Sequence, residues 1–372
     1  MPAGPPPTPP PTPRARAIAL YLPQFHPIAE NDRWWGKGFT EWTNTARARP
    51  LFRGHQQPHI PADLGFYDLR VPESRAAQAE LARRHGIEAF CYYHYWFAGR
   101  RILQRPFDEV LASGQPDFPF CLCWANQSWT GIWHGAPDRM LIEQTYPGAA
   151  DHAAHFAALR PAFADPRYLR VDGKPLFVIY QPQDLPDPAA TLALWRSWAA
   201  AAGLGGLYVA GLSTRAAWDP TADGFDAKID EPLFRLRPWI SRRRPLAWAG
   251  ARLRAWRGLP TIQSYATFAA RHRPVATAGA ASYPCLVHAW DNTPRAGRNG
   301  LVLQGATPAL FAPLLAEAVN LLANRPPQRR LLFLKSWNEW AEGNHLEPDL
   351  VHGMGFLRAV AAALGLAPVA GE

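Results

Sequence analysis

We predict that this 372-residue chain folds as a (β/α)8 TIM barrel, a single α/β domain with long βα loops. Eight apolar segments bounded by turn residues predict eight strands, at residues 17–22, 88–95, 119–124, 176–180, 206–211, 225–230, 285–290 and 331–336. Polar and aromatic residues follow six of these strands, as is typical of the C-terminal end of a barrel. A doubly wound open sheet is the alternative, but no Gly-x-Gly-x-x-Gly follows the first strand.

Helical patterns lie between most of the predicted strands. Residues 74–85 begin with a serine, carry apolar residues at helical spacing and precede Gly86, which is a typical helix stop. Residues 307–323 have the same periodicity, and residues 151–163 are rich in alanine. This alternation favours a parallel barrel surrounded by helices.

The chain divides into a tail and a barrel domain. Residues 1–14 are rich in proline and predict a disordered or polyproline II tail, whereas residues 15–366 form the predicted barrel. Long connections follow the first and sixth strands, at residues 27–66 and 237–260, and loops of this length on a compact barrel usually shape a binding site.

Composition indicates a packed globular protein, because 48% of the residues are hydrophobic. The net charge is +9, but nearly all basic residues are arginines, which indicates compositional bias, and we expect no nucleic-acid partner. The four cysteines fall in predicted strands, as expected for buried thiols in a reducing compartment. With no signal-peptide pattern and no apolar window long enough for a membrane span, we expect a cytoplasmic protein. The sequence predicts no particular oligomeric state.

The predicted eighth strand leads directly into a loop that carries the candidate catalytic groups. Glu339 and Glu342 bracket Trp340 in this loop. Cleavage of a sugar acetal needs one carboxyl group to protonate the leaving oxygen and another to assist attack, while aromatic faces hold the sugar ring. We therefore predict catalytic roles for both glutamates; their spacing does not distinguish the acid from the base.

Sixteen tryptophans are a high number for a chain of this length, and several lie near the predicted strand ends. We predict that side chains at these ends and in the first long loop bind an oligosaccharide or polysaccharide. They are Tyr21, His26, Trp35, Glu41, Trp42, Tyr92, His94, Trp96, Trp124, Asn126, Trp129, Tyr180, Trp290, Asp291, Asn338, Trp340 and Glu347. Within the second strand, Tyr92, His94 and Trp96 share one face. If that face points into the barrel mouth, His94 and Trp96 line the pocket; the alternative is that His94 is a satisfied core histidine.

No metal site and no cofactor are predicted. Glu342 and His345 have the spacing of half a di-iron motif, but that motif needs a second copy on helices, and Gly343 and Pro348 indicate a loop.

Five motifs together resemble a known family. They are Tyr21-Leu-Pro-Gln-Phe-His, Trp35-Gly-Lys-Gly-Phe-Thr-Glu-Trp, Tyr92-Tyr-His-Tyr-Trp, Cys123-Trp-Ala-Asn and Trp337-Asn-Glu-Trp-Ala-Glu-Gly-Asn-His-Leu-Glu-Pro. Over roughly residues 15–360 the chain is similar to WbsX-like proteins, within the wider group that has a glycoside hydrolase family 99-like domain.

The resemblance implies a (β/α)8 barrel that acts on glycans. WbsX-like proteins typically accompany bacterial surface-polysaccharide synthesis, and the hydrolase relatives cleave internal α-mannosidic bonds with retention through a Glu-Trp-x-Glu pattern. Glu339 matches the residue assigned there as the base that activates the sugar 2-hydroxyl, and Glu342 matches the acid. Position 341 is alanine here, where the mannosidases commonly carry histidine.

Three functions remain open at this point. The first is a retaining endo-type glycoside hydrolase or transglycosidase that acts on a bacterial cell-surface polysaccharide. The second is a WbsX-type glycosyltransferase in lipopolysaccharide, O-antigen or capsule biosynthesis. The third is a non-catalytic glycan-binding barrel, which would tolerate the loss of either glutamate.

Overall fold

The structure of the chain is a computed structural model. It describes residues 12–131, 136–213, 215, 217–233, 249–250, 256–275 and 281–368. The predicted tail therefore lies almost entirely outside the described residues, as does most of the long connection at 237–260.

Eight parallel strands form a closed barrel. They are β1 (Arg16–Tyr21), β2 (Ile87–Phe97), β3 (Phe120–Trp124), β4 (Lys174–Ile179), β5 (Tyr208–Ser213), β6 (Ala227–Asp230), β7 (Ala281–Val287) and β8 (Leu331–Lys335). Each strand pairs with its neighbours in chain order, and β1 pairs with both β2 and β8, which closes the sheet. All eight predicted strands are confirmed, with ends that differ by a few residues.

Burial on both faces explains why these segments form barrel strands. The burial pattern of β3 and β8 is continuous, as expected for parallel strands that have the barrel interior on one face and helices on the other. Closure pairs each of the eight barrel strands with a barrel strand on both sides, so the described barrel has no open edge.

Ten α-helices are described. They are α1 (Ala29–Trp35), α2 (Glu41–Arg47), α3 (Pro72–Arg84), α4 (Arg105–Ser113), α5 (Ala149–Ala164), α6 (Pro188–Ala201), α7 (Tyr265–Arg271), α8 (Thr293–Ala296), α9 (Pro308–Leu322) and α10 (Gly355–Ala363). The three predicted helices correspond to α3, α5 and α9. Two of them begin at proline, which is suited to the first turn because that turn leaves its N–H groups without helical partners.

The loops after β1 and β8 meet over the C-terminal end of the barrel. The N–H of Ala62 donates to the carbonyl of Pro348, and the N–H of Leu350 donates to the carbonyl of Ile60. Helices α1 and α2 lie within the same β1 loop, so the predicted long loop is an ordered wall of the barrel mouth.

Most buried residues are apolar, and the four cysteines are buried free thiols, as the sequence predicts. Within the described part of the chain, no helix is both long enough and apolar enough to span a bilayer.

Candidate active site

A cavity of about 760 Å³ opens at the C-terminal end of the barrel. Its wall combines residues from the loops after β1, β3, β4, β7 and β8 with the last residues of β2. Glu339 and Glu342 both line it. The cavity lies where barrel enzymes carry their catalytic groups.

A short hairpin positions the two glutamates. Asn338–Glu339 pairs antiparallel with Asn344–His345, and a 3-10 turn at Trp340–Glu342 joins the two strands. Gly343 closes the turn at φ 55°, and a Cβ there would lie 3.0 Å from Cβ of Asp291. The close approach allows the N–H of Asp291 to donate to the carbonyl of Glu342 at 2.6 Å.

One guanidinium links three carboxylates in the cavity wall. Arg295 donates from Nη1 to Oε1 of Glu342 at 2.6 Å, and its Nη2 lies 3.3 Å from Oε2 of Glu339. The same side chain reaches Oε2 of Glu41 from Nη2 at 2.9 Å. Only 13% of the arginine side chain and at most 7% of each glutamate side chain are exposed, so water screens these ion pairs weakly.

Burial raises the pKa values of two carboxyl groups in this cluster. Desolvation raises the pKa of Glu342, the negative charge of Glu339 raises it further, and Arg295 opposes both effects only in part. Desolvation also raises the pKa of Glu41, although Arg295 counteracts it. Glu342 therefore holds a proton at a higher pH than a solvated glutamate does.

A second cation borders the same cavity. The ammonium of Lys335 lies 3.8 Å from Oε2 of Glu231 and 5.4 Å from the ring centre of Trp290. It also lies 3.5 Å from the hydroxyl of Tyr180. Nearby carboxylates, Glu231 first among them, raise the pKa of this buried lysine despite its desolvation. The side chain is therefore a permanent positive charge beside the glutamates.

Of the predicted sugar-binding residues, five line the glutamate cavity. They are Trp35, Glu41, Trp129, Tyr180 and Trp290. Trp129 packs edge-on against Tyr95 with ring centres 5.1 Å apart, and this contact holds the indole at the mouth.

The face of β2 that carries Tyr92, His94 and Trp96 does not line the cavity, so this prediction is wrong. Tyr93 and Tyr95 line the cavity, whereas Tyr92, His94 and Trp96 face the surrounding helices. The Nε2 atom of His94 lies 2.8 Å from Nε2 of His155 on α5, and Trp96 stacks on the same imidazole.

Trp124 also lies outside the cavity, packed against His155 and Trp195. The physical reason is strand alternation, because the parity of each barrel strand decides which residues point to the interior.

Four further predicted residues belong to a buried network behind the hairpin. Glu347 accepts hydrogen bonds from Trp340 at 2.6 Å, from Gln78 at 2.6 Å and from the hydroxyl of Tyr67 at 2.9 Å. Desolvation outweighs these bonds and raises the pKa of Glu347 to about 7.

The rest of this network holds loops rather than lining the cavity. Trp42 donates to the carbonyl of Tyr67, and the side chain of Asn338 bonds both backbone groups of Leu22. These four side chains therefore form hydrogen bonds to other protein groups. They are Glu347, Trp340, Trp42 and Asn338.

The remaining predicted residues also fall outside this cavity. Tyr21 donates to Gln78, His26 bonds the carbonyl of Pro23, and Asn126 bonds both backbone groups of Gln181.

Asp291 lines a smaller neighbouring cavity. It accepts from His55 at 2.6 Å, from Gln57 at 2.7 Å and from Thr293 at 2.6 Å. Although burial alone would raise the pKa of Asp291, these three hydrogen bonds lower it.

Several cavity residues were not predicted, and Arg295 is the most consequential. It lies just beyond the polar end of β7, in the segment Asp291-Asn-Thr-Pro-Arg, so its position in a βα loop was a signal in the sequence. Tyr93, Tyr95 and Lys335 are barrel-strand residues whose orientation depends on strand parity.

A closed parallel barrel that presents carboxylates, cations and aromatic rings around one open cavity has a glycoside hydrolase-like architecture. The chain belongs to the WbsX glycosyltransferase family, whose description is "Glycosyltransferase WbsX" and whose profile matches residues 17–360. This membership confirms the family resemblance predicted from the motifs.

The chain is also similar to curated relatives. The chain is 42% identical over 359 residues to "Uncharacterized protein WxcX" of Xanthomonas campestris pv. campestris, in each of two strains. These matches cover 95% of this chain and 50% of the relative, so the chain spans about half the length of the curated relatives it matches.

The barrel resembles a structure described as a glycoside hydrolase-like protein, with a TM-score of 0.56, 12% identity and coverage of 99% of this chain and 98% of that one. It also resembles the GH99 endo-alpha-mannosidase from Bacteroides thetaiotaomicron, with a TM-score of 0.54 and 14% identity. That match covers 94% of this chain and 96% of the mannosidase. Both likenesses concern the fold.

Proposed function

We propose that the chain is a retaining endo-type glycoside hydrolase or transglycosidase that acts on a bacterial cell-surface polysaccharide. The observation that carries the proposal is the placement of Glu339 and Glu342 together in the wall of one large cavity at the barrel mouth. Glu342 acts as the acid that protonates the leaving oxygen, and Glu339 acts as the base that assists attack.

The assignment of acid and base follows from the environments of the two carboxyl groups. The general acid of a glycosidase must keep its proton near neutral pH, which requires a raised pKa. Glu342 meets this requirement because it is desolvated and lies beside the charge of Glu339. Glu339 bonds the same Arg295 guanidinium at 3.3 Å, which leaves it the role of the second carboxyl group.

The closeness of the two groups supports a retaining route. Inverting glycosidases keep their carboxyl groups roughly 6.5–9.5 Å apart to admit a water molecule, whereas retaining enzymes keep them at about 5–5.5 Å. Glu342 and Glu339 both contact the single guanidinium of Arg295, at 2.6 Å and 3.3 Å. This arrangement leaves little room for a water between them.

The cavity suits a segment of a sugar chain. Its volume of about 760 Å³ is within the range of ligand pockets. Trp35, Trp129 and Tyr93 contribute aromatic surface, and Gln24 and Gln181 contribute amide groups that can bond sugar hydroxyls. The mixture of stacking surfaces and directional polar groups is typical of carbohydrate sites.

A glycosyltransferase is the second candidate, and the description of the family favours it. A nucleotide-sugar donor carries phosphates that require cationic or amide partners. Among the described residues that line the cavity, Arg295 and Lys335 are the two cations, and carboxylates contact both. This pairing gives more support to chemistry on an acetal than to binding of a diphosphate.

The test compares the wild type with Glu339→Gln and Glu342→Gln on a panel of bacterial polysaccharides, with and without sugar nucleotides. Each variant should lose turnover by roughly 10²–10⁴-fold and keep its oligosaccharide affinity, because the amide preserves shape but transfers no proton. Glu317→Gln is the matched control, because Glu317 pairs with Arg273 on the protein surface.

The three candidate functions give different outcomes in this panel. Product release without a sugar nucleotide supports the hydrolase, and chain extension that depends on one supports the transferase. Glycan binding without turnover, unchanged in both glutamate variants, would leave the non-catalytic barrel and refute the proposal.

A further inference from the structure

Three side chains of the types that bind metal ions meet where the loop after β1 contacts the loop after β8. They are His59 from the first loop and His345 and Asp349 from the second, and each offers one ligand atom within 4.8 Å of the other two. His345 and Asp349 are buried, and His59 is half-buried. The three donors come from segments that are 286 residues apart in the chain.

The hydrogen bonds of His345 expose a nitrogen lone pair toward His59. Its Nδ1 atom lies 2.9 Å from the carbonyl of Glu347, so Nδ1 carries the proton and donates it. The Nε2 atom therefore has a free lone pair and points at Nδ1 of His59, 2.8 Å away. A backbone carbonyl that fixes the tautomer of a histidine in this way is typical of metal ligands.

The neighbouring histidine shows a different arrangement. Nδ1 of His55 accepts from the N–H of Leu51, so Nε2 of His55 carries the proton and donates it to Asp291. His55 is thus fully satisfied by protein groups. At the His59–His345 contact, by contrast, two ring nitrogens face each other, and a single proton or a cation must lie between them.

The distances suit a divalent ion after a small adjustment. With metal–nitrogen bonds of about 2.0 Å, tetrahedral coordination places two ligand atoms roughly 3.3 Å apart. The two nitrogens lie 2.8 Å apart, and Nε2 of His345 lies 3.8 Å from Oδ2 of Asp349. When a metal binds, the distance between the two nitrogens must increase by about half an ångström, and the distance from His345 to Asp349 must decrease by about the same amount. Oδ1 of Asp349 accepts the N–H groups of Val351 and His352, which orients Oδ2 toward the histidines.

Further donors lie in the same place. A small cavity of about 100 Å³ is bordered by all three residues and also by His288 and His352. Its volume admits a water molecule or an ion. Either histidine or a water could supply the fourth ligand that a tetrahedral site needs.

We propose that His59, His345 and Asp349 bind one divalent transition-metal ion of the Zn²⁺ type, which cross-links the β1 loop to the β8 loop. Two imidazoles and one carboxylate are the ligand set that zinc, iron, cobalt and nickel accept, whereas calcium and magnesium prefer oxygen ligands. The proposal is independent of the proposed function, because none of the three ligands lines the glutamate cavity.

The site lies where it can stabilise the catalytic hairpin. His345 stacks on Trp340 with ring centres 3.6 Å apart, and Trp340 lies between Glu339 and Glu342 in the sequence. The backbone bonds Ala62–Pro348 and Ile60–Leu350 already join the two loops. An ion at this point adds a cross-link between segments that are distant in the chain, and it stabilises the folded state by an amount that grows with the logarithm of the ion concentration relative to its Kd.

The experiment measures metal content and stability rather than activity. The full chain is treated with a chelator, dialysed against excess zinc and then against buffer, and its zinc is counted by elemental analysis. The wild type should retain one equivalent of zinc, and zinc should raise its melting temperature above that of the chelated protein. Cobalt(II) in place of zinc should give the visible absorption of a nitrogen- and oxygen-coordinated ion.

Two conservative variants test the ligands. His59→Gln and Asp349→Asn should each weaken zinc binding at least tenfold, since even loss of a ligand's hydrogen-bond partner typically costs 10–100-fold. His272→Gln is the matched control, because His272 lies at the end of α7, outside the cluster, and this variant should retain one equivalent. Far-UV circular dichroism checks folding, and His59 is only half-buried, so its variant remains informative if Asp349→Asn fails to fold.

The outcomes are distinct. A wild type that retains no zinc and shows no thermal shift overturns the proposal, and so do ligand variants that retain as much zinc as the control. Loss of turnover in the glutamate variants has no bearing on this result, since zinc retention is measured without any glycan.

Discussion

The half-buried Arg295 is the most informative residue to perturb, and Arg295→Met removes its charge while keeping much of its volume. The guanidinium contacts Glu41 at 2.9 Å, Glu339 at 3.3 Å and Glu342 at 2.6 Å. Removal of one partner from a buried ion pair costs about 3–5 kcal/mol, because a charge is left buried without compensation. We expect a loss of that size in the free energy of unfolding at pH 8.

The loss should depend on pH in a defined direction. Without Arg295, the pKa values of Glu41 and Glu342, already raised by burial, rise further above the value in the unfolded chain. The folded state then binds more protons than the unfolded state, so stability falls as pH increases through the raised pKa values. The destabilisation should therefore be smaller at pH 5 than at pH 8.

Urea unfolding of the wild type and Arg295→Met at both pH values measures this difference. Arg295→Lys is the matched control, because it keeps the charge but cannot bond three carboxylates through a planar fork, and it should lose less stability than the methionine variant. Equal destabilisation at pH 5 and pH 8, or none at either, would refute the interpretation of the cluster as a buried charge network.

Three further predictions concern the hairpin and the cavity. Activity of the wild type should fall on the alkaline side as pH passes the raised pKa of Glu342, because the acid must be protonated, and a substrate with an activated leaving group should remove this limb from the pH profile of kcat/KM. Glu347→Gln should cost roughly 1–3 kcal/mol in urea unfolding, because its carboxylate accepts from three donors and an amide leaves one of them unpaired. Trp129→Ala should weaken oligosaccharide binding in a titration by roughly 1–3 kcal/mol, by analogy with the loss of an aromatic side chain that stacks on a nucleic-acid base.

Each of these predictions has a clear contrary result. An alkaline limb that persists with the activated substrate would exclude Glu342 as the group that protonates the leaving oxygen. Wild-type stability of Glu347→Gln would show that the three hydrogen bonds contribute little. For Trp129→Ala, Trp256→Ala is the control, because Trp256 is 82% exposed and lies outside the cavity; equal affinities in the two variants would remove Trp129 from the binding surface.

The sequence by itself was sufficient for the barrel and for the position of the two glutamates. Parallel strands are buried on both faces, so each appears in the sequence as a continuous apolar run, and eight such runs define the fold. The C-terminal ends of barrel strands meet at one mouth, so Glu339 and Glu342 could be placed there from their position after the last run.

Tertiary structure alone decided which face of each strand reaches the mouth. In β2, ten of eleven residues are buried, and no polar–apolar alternation distinguishes Tyr93 and Tyr95 from Tyr92, His94 and Trp96. The parity is set by pairing with β1 and β3, which is a property of the closed sheet.

Side-chain partners between distant loops were likewise decided by the fold. Arg295 meets Glu41 across 254 residues, and His59 meets His345 across 286. Local sequence reports the propensity of a segment and its apolar face, but not which charged group faces it from another loop. Because a buried charge is stable only with its partner, the electrostatics of this site follow from closure of the barrel rather than from any single motif.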